Sequence, residues 1–224
     1  KLKFNKNYVI NTENHITNIL SDSYMQIWNS LNINNFPLLL GGDHTVSISS
    51  IFAVHEFCNM NDDILGVIWC DAHADFNTVE TSPSGNLHGM PVSVLCGHTL
   101  PSLKFGKSID TGRFAYYGLR DLDSKEFLRF QNYNMKIIDT DQEIEEWIKM
   151  FDKIHVSFDI DCLDPSEFKG VNTPVKNGKK ILEIKKLFNK IKKSNKLISL
   201  DVVEYNPIKK DNISKIINLF EDLF

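Results

Sequence analysis

A chain of 224 residues with 29 Asp plus Glu against 25 Lys plus Arg carries a formal net charge of -4. Its 42% apolar and 24% charged content is that of a globular protein and unlike a disordered or collagen-like chain. Mild acidity argues against a broad basic nucleic-acid face, and no run approaches the roughly 18–20 apolar residues that cross a bilayer. Neither nucleic acid nor a membrane is therefore an expected partner. No secretory-signal pattern opens the chain, and Cys58, Cys70, Cys96 and Cys162 show no CxxC spacing. Free thiols and a cytoplasmic location are the expectation.

Taken in order, short apolar runs alternate with amphipathic stretches. Ile16, Ile19, Leu20, Ile27 and Leu31 share one helical face. The run 36–40 follows and leads into Gly41-Gly42-Asp43-His44, with a helix expected near 45–58. Leu65–Cys70 leads into Asp71-Ala72-His73-Ala74-Asp75. Runs at 114–119 and 135–138 flank a helical stretch near 124–132, and another lies near 140–150. The run 154–158 leads into Asp159-Ile160-Asp161. Ile181, Ile184, Leu187, Phe188 and Ile191 make a further helical face, and the lysines around it read as that helix's solvated side. Leu197–Val203 leads into Glu204-Tyr205-Asn206-Pro207, and a last helix is expected near 212–223.

The runs are four to seven residues long and not strictly alternating, as strands buried on both faces of a parallel sheet are. Strand–helix alternation without a linker predicts one α/β domain over residues 1–224 with a mainly parallel sheet. Ligands of such sheets bind beyond the carboxyl ends of the strands. Four of the six runs end there in acidic or His residues. Residues two apart in extended backbone point the same way, so Asp71, His73 and Asp75 would converge, as would Asp159 and Asp161. Crowded carboxylates repel unless protonated or neutralised by cations. A mixture of His and carboxylate suits manganese, zinc or iron. Singly, each residue reads as a cap or turn residue. Together, each behind its own apolar run, they read as a site.

Five stretches, GGDHTVS (41–47), DAHADFNT (71–78), SGNLHGMPVS (84–93), SFDIDCLDP (157–165) and DVVEYNP (201–207), resemble the ureohydrolase family of arginases and agmatinases. The resemblance spans about 36–207, and the loop 77–91 is most similar to bacterial-type arginases. It implies a three-layer α-β-α sandwich with the metal site at the carboxyl ends of the strands. It implies two manganese(II) ions per subunit, with Asp71 and Asp159 bridging. His44 and Asp75 would complete one ion's ligands, and His73 and Asp161 the other's. A hydroxide shared by the ions would attack the guanidinium carbon of L-arginine, giving L-ornithine and urea.

By the same resemblance the catalytic groups are His88, as proton shuttle, Asp75 and Glu204, which pairs with the substrate guanidinium. Asn77, Ser82, Ser84 and Asn86 would contact the α-carboxylate, Asp123 the α-amino group, and Thr173 would lie near the metal-bound oxygen. A homo-oligomer, trimer or hexamer, is also implied. Agmatine lacks the α-carboxylate, so the 77–86 loop favours arginine. The alternatives are another ureohydrolase (agmatinase, guanidinobutyrase or formimidoylglutamase), a one-zinc deacetylase-type site, or a non-catalytic relative. The family's opening strand and Gly-rich, Arg-containing loop are not legible before Phe36, which reads as a shortened or incomplete member. Cys162 and Asn172 stand where the family often has Gly, and Lys176-Asn177 departs from its usual PVxGG, so altered loop geometry is expected there.

Overall fold

The computed structural model describes residues 15–221 and 223. Residues 1–14, part of the stretch in which the family's opening strand was sought, lie outside that range, as do 222 and 224. The elements in chain order are α1 (Ile16–Asn32), β1 (Leu38–Leu40), α2 (Ser47–Met60), β2 (Leu65–Cys70), α3 (Pro91–Leu95), β3 (Phe114–Tyr117) and α4 (Ser124–Asn132). They continue with β4 (Lys136–Ile137), α5 (Asp141–Lys149), β5 (Lys153–Asp159), α6 (Ile181–Ser194), β6 (Leu197–Val203) and α7 (Ser214–Glu221). The sheet order is β1-β6-β5-β2-β3-β4, and every pairing is parallel.

All six predicted strands form. The predicted run 135–138 contracts at both ends to β4, and two others are shorter at one end for local reasons. Strand β1 begins after Pro37, which has no backbone N–H to donate to the ladder. Strand β3 ends at Tyr117 because Gly118 turns the chain with φ +94°. The one-turn helix α3 was not predicted. Its PVSVL sequence is buried all round and carries no helical period.

The sheet separates two apolar layers. Leu65, Val67 and Trp69 of β2, with Phe114 and Tyr116 of β3, pack towards α1, α2, α3 and Phe130 of α4. Ile68, Cys70, Ala115 and Tyr117 point the other way, towards α5, α6 and α7. This is the two-residue period of a strand expressed on both faces. Strand β5 departs from it usefully. Ile154, Val156 and Phe158 join the α5–α7 layer, whereas the alternate residues His155, Ser157 and Asp159 are buried and polar. Ser199 and Asp201 of β6 repeat the pattern. A buried polar tier therefore runs along the sheet and opens at its carboxyl end.

Capping fixes the helix starts. Asp123 caps α4 by accepting from the backbone N–H groups of Lys125 and Glu126. Thr140 and Glu143 form a reciprocal capping box on α5.

Candidate active site

The acidic and His residues that follow the strands meet at one end of the sheet. His44 lies on a short 3₁₀ turn capped by Asp43. Its Nδ1 is 2.9 Å from Asp71 Oδ2, 3.1 Å from Asp75 Oδ2 and 3.4 Å from Asp159 Oδ2. His73 Nδ1 is 3.3 Å from Asp71 Oδ1 and 3.2 Å from Asp161 Oδ2. Two triads able to hold a metal ion result, His44–Asp71–Asp75 and Asp71–His73–Asp161, and Asp71 belongs to both. The four carboxylates are no more than 6% exposed.

The route to convergence differs from the sequence expectation. Extended backbone does not continue through 71–75. Asp75 takes a left-handed φ of +50°, which swings its carboxylate to His44 while His73 turns to Asp161. Asp159 ends β5, and Asp161 sits in the 3₁₀ turn beyond it, its N–H donating to Asp159 Oδ1 at 2.7 Å.

The electrostatics follow from burial. Burial and the charge of Asp71 push Asp75 up to about 6. Burial and the charges of Asp161 and Asp71 push Asp159 well up. Burial opposes charge on both histidines, but contact with carboxylates outweighs it and raises both, His73 to about 12. Burial also acts on Asp71, yet its close contacts with His44 and His73 and their charges hold it below the usual carboxylate range. The cluster thus draws in positive charge. Among the described residues His44 Nδ1 makes no well-formed hydrogen bond, although three carboxylate oxygens crowd it. A buried nitrogen among carboxylates fits a divalent metal of the manganese, zinc or iron type.

Outer contacts orient these groups. The Trp69 ring stacks on His44 at 3.9 Å, and its Nε1 donates to Asp71 Oδ2 at 3.0 Å. Ser157 Oγ is 2.8 Å from His44 Nε2, and Asp121 Oδ2 is 3.6 Å from His73 Nε2. Thr173 Oγ1 donates to Asp161 Oδ2 at 2.9 Å. Arg120 donates to the backbone carbonyls of Gly118 and Asp161 at 2.7 and 2.8 Å, and to those of Val175 and Lys176 at 2.8 and 3.1 Å. It staples the Asp161 turn to the loop whose sequence departs from the family pattern. Cys162 is accommodated by Gly118, where a Cβ would lie 2.6 Å from its sulfur. Trp69 was legible in principle, being two residues before Asp71 on a strand. Ser157, Asp121 and Arg120 carry no local signal of their contacts.

The remaining predicted residues are placed as follows. Glu204, at φ +66°, accepts the backbone N–H of His44 at 3.0 Å. Burial raises its pKa, while the His44 N–H and the charges of His44 and His88 oppose that rise. His88 is partly exposed on a 3₁₀ turn that packs against the His44 turn. Asn77 Nδ2 donates to Asp123 Oδ2 at 2.7 Å, so these two are brought together, and Asn77 Oδ1 is buried with no hydrogen-bond partner among the described residues. Ser82 and Ser84 accept from the N–H groups of Gly85 and Asn86 and close local turns on the same loop. No hydrogen bond among the described residues joins their side chains to the carboxylate cluster.

An all-parallel sheet with two His/Asp groups able to hold a metal ion beyond its carboxyl edge defines the class, an α/β protein with a candidate metal centre. The arginase family model matches residues 3–218. An arginase of Staphylococcus aureus (strain MRSA252) is 38% identical over 194 residues, which are 80% of this chain and 63% of that protein. The 1.7 Å structure of Bacillus subtilis arginase superposes with a TM-score of 0.86 at 31% identity, covering 95% of this chain and 78% of that one. Entamoeba histolytica arginase in complex with L-ornithine gives a TM-score of 0.86 at 30% identity, covering 96% and 78%. The chain belongs to the arginase family. It spans under two thirds of the S. aureus relative's length.

Proposed function

We propose that this chain hydrolyses the guanidinium group of L-arginine to L-ornithine and urea. The observation that carries the proposal is the pair of buried His/Asp triads sharing Asp71. His44 and Asp75 would hold one manganese ion, His73 and Asp161 a second, with Asp71 and Asp159 between them. Two bound cations would neutralise the four carboxylates and supply a hydroxide from water at neutral pH.

The chain's own groups then have separable tasks. Glu204 sits beside the His44 turn, where a carboxylate can take a planar guanidinium by paired hydrogen bonds. Thr173 bonds Asp161 and orients the oxygen it offers the site. His88, partly exposed on a turn that packs against the His44 turn, can return a proton to the departing amine. Asn77 and Asp123 touch each other, so a neutral amide and a carboxylate lie side by side. That pairing suits the α-carboxylate and α-ammonium of an amino acid, and Ser82, Ser84 and Asn86 complete the same loop. The family's properties extend the proposal to a cytoplasmic homo-oligomer, a trimer or hexamer.

Urea release from L-arginine and agmatine, assayed in parallel on manganese-loaded protein, tests this. Faster turnover of L-arginine is expected. Faster turnover of agmatine would move the protein to another ureohydrolase activity, and no urea from either would leave a non-catalytic relative.

A further inference from the structure

Helix α4 reaches the segment 75–77 with three residues spaced three apart. Asp123 at its cap takes the Asn77 side chain, Glu126 Oε1 accepts the Phe76 N–H at 2.8 Å, and Arg129 Nε donates to the Phe76 carbonyl at 3.0 Å. Residues three apart share a helix face, so one face addresses one stretch of backbone. The Phe76 carbonyl has a second donor, Ser93 Oγ of α3, at 2.7 Å. On the other side of the same peptide, the Asn77 N–H donates to the Gly89 carbonyl at 3.2 Å.

Arg129 is built into this position. Its Nη2 lies 3.4 Å from Ser93 Oγ and 3.3 Å from His98 Nδ1. Its guanidinium carbon sits 4.8 Å from the Phe76 ring centroid and 5.5 Å from that of Tyr133. Among the described residues, all its hydrogen bonds go to this group. A planar fork that stacks and donates at once is a task for Arg and not for Lys. Phe76 itself is wholly buried, so its carbonyl has no water to turn to if a donor is removed.

We propose that Arg129 is a positioning residue for substrate recognition, fixing the Phe76–Asn77 peptide plane so that the Asn77 amide faces the amino-acid end of the substrate. The inference rests on the reading that Asn77 and Asp123 take that end. The geometry separates two effects. The Phe76 N–H, in the peptide that follows Asp75, is held by Glu126. The Phe76 carbonyl, in the peptide that precedes Asn77, is held by Arg129 and Ser93. Removing Arg129 therefore disturbs Asn77 and leaves the metal-facing Asp75 anchored.

The test compares wild type, Arg129→Met and Arg129→Lys, loaded with manganese. Met keeps packing against Phe76 and Tyr133 while removing every donor. For Arg129→Met, KM for L-arginine should rise on the order of 10-fold, with kcat and manganese content within about 2-fold of wild type. KM for agmatine, which lacks the α-carboxylate, should change by less than about 2-fold, and Arg129→Lys should fall between. Calorimetric titration with L-ornithine should show weakening that matches the KM change. If Arg129→Met does not fold, Ser93→Ala removes the other donor to the same carbonyl and should shift the two KM values in the same pattern. Equal effects on arginine and agmatine, unchanged KM for arginine, or loss of manganese would overturn the inference. A wild-type protein that releases no urea would remove the functional reading and this inference with it. An active wild type with an indifferent Arg129 variant would remove this inference alone.

Discussion

Replacing Trp69 with Phe isolates one hydrogen bond at the centre of the carboxylate cluster. Trp69 Nε1 donates to Asp71 Oδ2 at 3.0 Å, and both side chains are almost wholly buried. Asp71 is the carboxylate common to both triads, so its orientation affects both proposed ions. A hydrogen bond to a buried charged group is worth roughly 1.5–3 kcal/mol. At about 1.4 kcal/mol per tenfold, that is about 10- to 100-fold in metal affinity, the range typical of groups that orient a ligand. Phe keeps a ring against His44, which Trp69 stacks on at 3.9 Å. It leaves a void that lowers stability by roughly 1–3 kcal/mol. Competition against a chromophoric chelator reads the affinity, and thermal unfolding of metal-free protein reads the packing cost separately. Manganese affinity within about 2-fold of wild type, alongside a lowered Tm, would refute the orienting role and leave Trp69 as a packing residue.

Four further variants have expected outcomes. Burial raises the Glu126 carboxyl to about 8, opposed by the Phe76 N–H it accepts. Between the ordinary Glu pKa near 4.5 and about 8 the folded state holds the extra proton, so its contribution to stability falls as pH rises through that window. Glu126→Gln should therefore gain up to about 5 kcal/mol at pH 9 and nothing at pH 4, measured by urea unfolding. A gain equal at both pH values would contradict the assignment. Gly118→Ala would meet the Cys162 sulfur at 2.6 Å while holding φ +94°, and should cost about 2–4 kcal/mol. Adding Cys162→Ala should recover only the contact portion. Asp159→Ala should release both proposed ions and abolish urea production, whereas His88→Ala should slow turnover with metal content near wild type. Metal analysis that found ions lost from the His88 variant would contradict a shuttle role.

Much of this was legible in the chain because the relevant signals are local. Apolar runs such as Leu65–Cys70 marked the strands, and the Asp and His residues just beyond them marked the site. Helix α3 escaped because five buried residues carry no period. The geometry of 71–75 escaped for a different reason. Spacing predicts a shared direction only in extended backbone, and Asp75 turns left-handed to reach His44. The outer contacts depend on pairing across the sheet. Ser157 reaches His44 from a strand 113 residues away, and Arg120 finds carbonyls up to 56 residues on. A motif names ligands, while the fold decides what supports them. The contacts that surround Cys162 and Lys176, from Gly118 and Arg120, are likewise visible only in three dimensions.

The claim that two ions act together beside one shared carboxylate is met most directly by titrating metal-free protein with manganese while following urea release from L-arginine. The rate should climb to a plateau at two equivalents per chain. A plateau at one equivalent, or no urea at saturating manganese, would contradict it.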